Sequence, residues 1–408
     1  MITFLLVVGL VTIQFLEWGA DLLNLRALSS KPPAGLEDLY DAEKYARSQA
    51  YTRARTRFGF VVSGVSLVGL LVFWWGGAFG FVDQWVRGFG LSLVGTGLVY
   101  LGLLVLIKEL GSLPFSIYST FGLEARFGFN RTTVPTFILD RLKTAVLSVL
   151  IGGPILALTL MFFTRWGAGA WWWVWGVITV FSLLLQWVAP AWILPLFNKF
   201  KPLPEGPLRT AIFDYAKTVC FPLAHLFVMD GSRRSSKGNA FFSGFGRHKR
   251  IALFDTLIEK QSVPEMVAVL AHEIGHHKKK HIWMGTLLGI VQTGVMLFVL
   301  SRTFQWVSLF HAFSIEEPSV HAGLAVFGVL MTPLNFILSL PLNALSRRHE
   351  YEADRFAKDT LGTGENLSSA LKKLSADSLS NLTPHPWYVA LHYSHPPLVQ
   401  RLSALKNF

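Results

Sequence analysis

The 408-residue sequence predicts a mainly α-helical, polytopic membrane protein with seven transmembrane helices and one large polar segment holding a small β-sheet at a membrane face. Three observations carry that prediction. Residues are 52% hydrophobic and only 15% charged, where soluble domains carry about 25% charged residues. Seven apolar stretches each approach the ~20 residues that a helix needs to cross a bilayer. Between the fifth and sixth, a long stretch rich in Gly, Ser and charge separates short β-prone runs.

The spans are expected near Ile2 to Leu22, Phe60 to Val82, Phe89 to Ile107, Leu142 to Thr164, Ala168 to Leu194, Ile282 to Phe304 and Ser319 to Leu340. Tryptophans at Trp74, Trp75, Trp171 to Trp173 and Trp192 mark their interfacial ends. The first stretch has no basic n-region and no small-residue cleavage site before Glu17, so it reads as an uncleaved span rather than a signal peptide. Ser29 to Gly35 reads as a loop, and a charged helix follows through about Arg57. Pro135, Pro154 and Pro190 begin or kink spans, while Pro195, Pro202, Pro204 and Pro207 open the polar segment. Within it, Leu226 to Met229, Asn239 to Ser243 and Arg250 to Phe254 read as three short strands. Their sheet either offers an edge to an extended peptide or is a structural meander. The chain thus divides into 1–194 (five spans and basic loops), 195–281, 282–341 (spans six and seven) and 342–408.

Basic residues cluster between spans one and two (Arg26, Lys31, Lys44, Arg47, Arg53, Arg55, Arg57) and between three and four (Lys108, Arg126, Arg131, Arg141, Lys143). The positive-inside rule then puts the N-terminus outside and the C-terminus in the cytoplasm. Lys199, Lys201 and Lys278 to Lys280 flank the polar segment at the same face. The net charge of +12 suits this topology and anionic lipid headgroups. No nucleic-acid motif accompanies it, which excludes that partner class. Cys220, the single cysteine, allows no intrachain disulfide and reads as a packing residue. Glu17, Asp21 and the Lys108-Glu109 pair either face a hydrated cavity or snorkel to the interface.

The chemistry concentrates on one expected helix, Ser262 to about Lys280. Ser262 and Glu265 form a capping-box pattern, and Pro264 is tolerated in the first turn. Inside it, His272-Glu273-Ile274-Gly275-His276 spaces two histidines by four residues, slightly more than one turn, so both imidazoles can reach one ion. Glu273 is placed to take a proton from a water at that ion. His277 and His281 are read as interfacial polar residues. After span seven, a second expected helix from Ser346 to near Gly362 carries Glu350 and Asp354 at i and i+4, on one face. One carboxylate can ligate the metal while the other orients an imidazole; as an isolated pattern they read more readily as solvated charges beside Arg347 and Arg355. Spans six and seven form a hairpin that returns this helix to the face of His272, which favours the metal reading. Near the C-terminus, His395 and Arg401 are candidates for stabilising an oxyanion, or simply a proline-bounded helix start with a surface arginine.

Several separated stretches together resemble one family, the type I CAAX prenyl proteases, which are seven-span integral-membrane zinc metalloproteases. They are the Asp41 to Phe58 helix, Phe127-Gly128-Phe129-Asn130 with Thr132 and Thr133, Asp230 to Leu257, the His-Glu-Ile-Gly-His motif, Glu350 to Asp354, and His392 to Leu398. The resemblance implies a cytoplasmic-face zinc metalloprotease domain binding one Zn2+ per chain through His272, His276 and Glu350, with Glu273 as general base. It further implies that Asp354 supports the ligands, that Asn239, Ala240 and Phe241 lie on a substrate-binding edge strand, and that His395 and Arg401 line the site. The expected substrate is a peptide or protein, possibly prenylated, met by a monomer in contact with membrane lipid. No long insertion separates spans six and seven and no ER-retention-like tail is seen, so the expected location is a bacterial inner membrane. A quality-control zinc protease indifferent to prenylation is the first rival. A transporter or channel with structural zinc is the second, disfavoured because structural zinc usually takes four protein ligands.

Overall fold

The computed structural model describes residues 1–37, 41–243 and 249–408, with the backbone alone at 241–243 and 249. Six helical segments among the described residues are long and apolar enough to span a membrane. One of them, Val134–Phe197, is 64 residues long and makes two legs, so the seven expected spans are present. The legs separate at Gly167, whose φ of 58° and ψ of −146° suit glycine and end the helix there. Phe163 before the break and Val174 after it share one buried cluster.

The helices are α1 (Ile2–Arg26), α2 (Ala42–Trp75), α3 (Ala78–Arg87), α4 (Leu93–Ile117), α5 (Val134–Leu147), α6 (Gly153–Trp166) and α7 (Trp171–Trp192). After the polar segment come α8 (Pro207–Thr218), α9 (Val263–Lys278), α10 (His281–Thr303), α11 (Val320–Leu361), α12 (Glu365–Asp377), α13 (Pro386–His392) and α14 (Leu398–Asn407), with a few single turns between. Four of the starts are capped by a side chain. The carboxylate of Asp41 accepts from the Lys44 N–H at 2.6 Å, and the Ser92, Thr133 and Ser319 hydroxyls cap α4, α5 and α11. Pro114 lies just before a π-helical stretch at Tyr118–Glu124, and a second such stretch, Ser148–Gly152, precedes Pro154. On α2, Val61, Val65, Val68 and Val72 recur every three or four residues and are all more than half exposed, an apolar stripe suited to lipid.

Three expectations about extent are corrected. The charged helix and span two are one 34-residue helix, α2, which ends at Trp75 rather than Val82. Gly76 and Gly77 break it, and Ala78 onward forms α3, which buries Phe79, Val82 and Val86. Span seven and the Glu350 helix are likewise one, the 42-residue α11, because neither Pro333 nor Pro341 stops it; Gly362, at φ 73°, does. The sheet has four strands rather than three, in the order β1-β2-β4-β3: β1 (Phe200–Pro202), β2 (Leu223–Met229), β3 (Ala240–Ser243) and β4 (Lys249–Phe254). Three residues containing a proline gave β1 no period to read. β2 pairs with β4 in parallel, and β3 pairs with β4 antiparallel, leaving β3 as an edge strand. Cys220 is exposed in the turn after α8 rather than packed.

The basic end of the bundle and the polar segment are tied together by specific bonds. Arg47 of α2 donates to the Phe127 carbonyl at 2.8 Å, and Ser236 N–H donates to the Phe129 carbonyl at 3.1 Å. Lys237 pairs with Glu124 at 2.9 Å, while Tyr51 donates to the same carboxylate. Arg234 forks onto Asp140 at 2.7 and 2.9 Å. Beneath the metal helix lies a core of Ile251, Leu253, Leu257, Met266, Leu270, Ile274, Ala357 and Leu405, which joins sheet, α9, α11 and α14.

Helix α9 starts as its sequence requires: the Ser262 N–H donates to Glu265 at 2.7 Å in a complete capping box. Buried Glu265 also accepts from Ser369 and Lys373, both at 2.6 Å. Burial alone would push its carboxyl up, but the bonds from Lys373, Ser369 and Ser262 outweigh it and hold the group at about 2. Glu265→Ala is therefore expected to cost about 2 kcal/mol. Because the folded value is depressed, this contribution is complete above the ordinary value of 4.5 and fades as pH falls toward about 2. Thermal midpoints of wild type and variant in detergent should therefore converge on acidification from pH 7 to pH 3.

Candidate metal centre

His272 and His276 stack on α9 with their Nε2 atoms 3.2 Å apart. Glu350, from the far half of α11, closes the triangle: its Oε2 lies 3.4 Å from His272 Nε2 and its Oε1 3.2 Å from His276 Nε2. Zinc–ligand bonds of 2.0–2.1 Å in a tetrahedron set ligand atoms about 3.3 Å apart, so the three residues fit such an ion without rearrangement. Glu350 is buried, and its Oε2 has no hydrogen-bond partner, although the charges of His272 and Arg401 lie near it. A buried carboxylate oxygen left so is costly unless a cation completes it. Among the described residues no fourth ligand joins these three, which leaves a position for water or substrate, as in catalytic rather than structural sites.

The close approach of α9 and α11 depends on Gly275. A Cβ there would sit 3.1 Å from both Cα and O of Ala353, backbone atoms that cannot turn aside. Absence of that methyl lets Glu350 reach the histidines. Asp354, one turn beyond, is fully buried and meets His272 Nδ1 at 2.9 Å. Burial disfavours a charged His272, but bonding to Asp354 and Glu350 outweighs it and pushes the imidazole up to about 9. A cation at Nε2 competes with that proton.

Arg401 of α14 is buried beside these groups. Its Nε and Nη2 donate to Asp354 at 2.8 and 2.5 Å, and Nη1 lies 3.3 Å from Glu350 Oε2. Its guanidinium is thus mostly engaged with Asp354, and it is no surface arginine. The His395 ring is exposed, with Nε2 3.2 Å from Glu350 Oε1. Glu273 is half-buried and makes no hydrogen bond or ion pair with the described residues. The structure therefore brings together His272, Glu273, His276, Glu350, Asp354, His395 and Arg401.

Asn239 and Ala240 lie at the start of edge strand β3. Asn239 accepts from Phe254 N–H through its carbonyl at 3.0 Å and from Ala240 N–H through its side chain at 2.9 Å. Phe241 pairs in register with Ala252, and its side chain lies outside the described ones. His281 differs from its expected place as an interfacial polar group: it is buried and bonded to His276 Nδ1 at 3.0 Å. No signal in the linear pattern exposes this, since positions five apart diverge on an unbroken helix.

Residues 21–199 match the family described as "CAAX prenyl protease N-terminal, five membrane helices", and residues 202–408 match "Peptidase family M48". The CAAX prenyl protease 1 homolog of Oryza sativa subsp. japonica is 38% identical over 98% of this chain and 96% of its own length. The CAAX prenyl protease 1 of Saccharomyces cerevisiae is 37% identical over 92% and 88%. The crystal structure of S. mikatae Ste24p superposes with a TM-score of 0.93 at 35% identity, covering 99% of this chain and 98% of that one.

Proposed function

The chain belongs to peptidase family M48 and to its CAAX prenyl protease branch, and from that premise we propose that it removes the C-terminal tripeptide of prenylated CAAX proteins with one zinc ion. It is an integral, multi-pass membrane metalloprotease. What carries the proposal is the triangle of His272, His276 and Glu350, whose ligand atoms all lie within 4.8 Å of one another, with Glu273 beside it. Zinc is our choice of metal because two imidazoles and one carboxylate with an open position are its usual hydrolytic donor set.

His272, His276 and Glu350 would hold the ion, and the bound metal would supply Lewis acidity toward the scissile carbonyl and an attacking water. Glu273 takes the proton of that water and later delivers it to the leaving amine. His395 donates to the oxyanion, while Arg401 adds a buried positive charge and holds Asp354 against His272. Asn239, Ala240 and Phe241 offer the edge strand on which an extended substrate pairs its backbone, a mode indifferent to side-chain sequence.

We assign the metal end to the cytoplasm and the N-terminus to the outside, because the arginine- and lysine-rich loops belong to the metal end. The division at residues 194, 281 and 341 follows the same reading. So do a monomeric state, contact with lipid, and a bacterial inner membrane, the last favoured by the short connection between spans six and seven.

The test is cleavage of a farnesylated CAAX peptide and its unprenylated twin by purified protein, each with and without a zinc chelator. Chelator-sensitive release of the tripeptide, faster from the lipidated peptide, is expected. Equal rates on both peptides would instead indicate a protease indifferent to prenylation. No cleavage of either would overturn the proposal.

A further inference from the structure

Beyond the ligands themselves, we propose that His281 is a positioning residue for the metal centre, the middle member of a chain that runs from His276 through His281 to Glu352 and fixes the His276 ring. The inference rests on the reading of His276 as a metal ligand. Its parts come from a break in the helix. Lys280 adopts the left-handed conformation, φ 62° and ψ 24°, between the end of α9 and the start of α10. For a residue other than glycine this costs about 1–2 kcal/mol, and it redirects the chain so that His281, five residues after His276, turns back over it. His281 Nδ1 then lies 3.0 Å from His276 Nδ1, and His281 Nε2 lies 3.0 Å from Glu352 Oε2. Arg348 Nε closes the far end, 2.9 Å from Glu352 Oε1. The His349 ring stacks on His281 at 3.9 Å and 7°, which holds its plane.

The chemistry of the donors sets one direction. A ligand histidine offering Nε2 to a cation keeps its proton on Nδ1. His276 Nδ1–H therefore donates to His281 Nδ1, His281 Nε2–H donates to Glu352, and Glu352 is neutralised by Arg348. The first histidine has a matching but shorter arrangement, His272 to Asp354 to Arg401. Helix α11 thus supplies Glu350 as ligand and, two and four residues further on, Glu352 and Asp354 as the anchors of the two imidazoles. The two anchors differ in burial: Asp354 is sealed, whereas Glu352 is about one-third exposed.

The test uses the full chain in detergent, stripped of metal and titrated with Zn2+ alone against a chromophoric chelator, with Co2+ absorption as a second readout. His281→Phe keeps a ring against His349 but offers no acceptor. It is expected to weaken Zn2+ binding by about 10- to 100-fold and to alter the Co2+ ligand-field bands. His281→Asn puts an amide oxygen where Nδ1 was and is expected to recover affinity to within about threefold of wild type, because it restores the acceptor. Unchanged affinity in His281→Phe, or an equal loss in both variants, overturns the proposal. If His281→Phe does not fold, Glu352→Leu replaces it: a several-fold loss supports the chain and none overturns it. His276→Ala is the control for the underlying reading. Wild-type Zn2+ affinity there would remove His276 from the ligands, whereas loss there without loss in His281→Phe would remove only the relay.

Discussion

Glu273→Ala is expected to lower turnover by about 10²- to 10⁴-fold, the range that a positioned general base contributes, while the metal content stays at one ion per chain. The separation of the two effects follows from the site. Glu273 neighbours His272 in sequence, yet it contributes no atom to the triangle formed by His272, His276 and Glu350. It is half-buried and bonds to none of the described residues, so its removal orphans no partner and should leave the thermal midpoint within about a degree or two of wild type. Its charge is felt by Arg401, which keeps its stronger partner Asp354. The measurement is kcat on a CAAX peptide beside metal analysis of the same preparation. Turnover at the wild-type rate would remove Glu273 as the base, and loss of the metal would show it to be a ligand or a scaffold instead.

Asp354→Ala should have the largest effect on stability, about 3–5 kcal/mol, because it strands a buried charge. Arg401 and Asp354 are both buried and joined by two bonds, and the variant leaves that guanidinium with Glu350 as its nearest carboxylate. Breaking such a pair from one side carries the uncompensated desolvation of the survivor. The same substitution releases His272 Nδ1, so metal affinity should also fall by about 10- to 100-fold. Replacing both partners, Asp354→Leu with Arg401→Met, should recover much of the thermal stability, since two apolar groups of similar volume leave nothing unpaired. It should not recover metal affinity. Thermal unfolding with and without added Zn2+ separates the two effects: equal midpoints for the single and double variants would refute the buried-charge account.

The chemistry was legible wherever it lay on one helix. Ser262, Glu265, His272, Glu273 and His276 obey a local period and a local cap, and α9 realises all of them. Glu350 and Asp354 were legible as a same-face pair, and the hairpin of spans six and seven gave the reason to bring them to His272. Less legible was anything that depends on where a helix stops. The pattern separates span seven from the Glu350 helix, but Pro333 and Pro341 are accommodated in an unbroken α11. It extends span two to Val82, but Gly76 and Gly77 end α2 at Trp75, seven residues before that. β1, three residues long, has too little alternation to be recognised and is defined by its pairing with β2.

By itself the sequence determined the membrane class, the seven apolar legs, the capped helix α9 and the same-face pairs His272/His276 and Glu350/Asp354. Those properties arise from composition and from periods of 3.6 residues, which are carried within a single element. Only the tertiary structure decided that Arg401 faces Asp354 instead of open space, that Gly275 lets α11 approach α9, and that His281 turns back onto His276. Each of these is a contact between elements, or across the left-handed residue Lys280, where the local period ends. There packing and the pairing of buried charge choose one arrangement among several that the linear pattern allows.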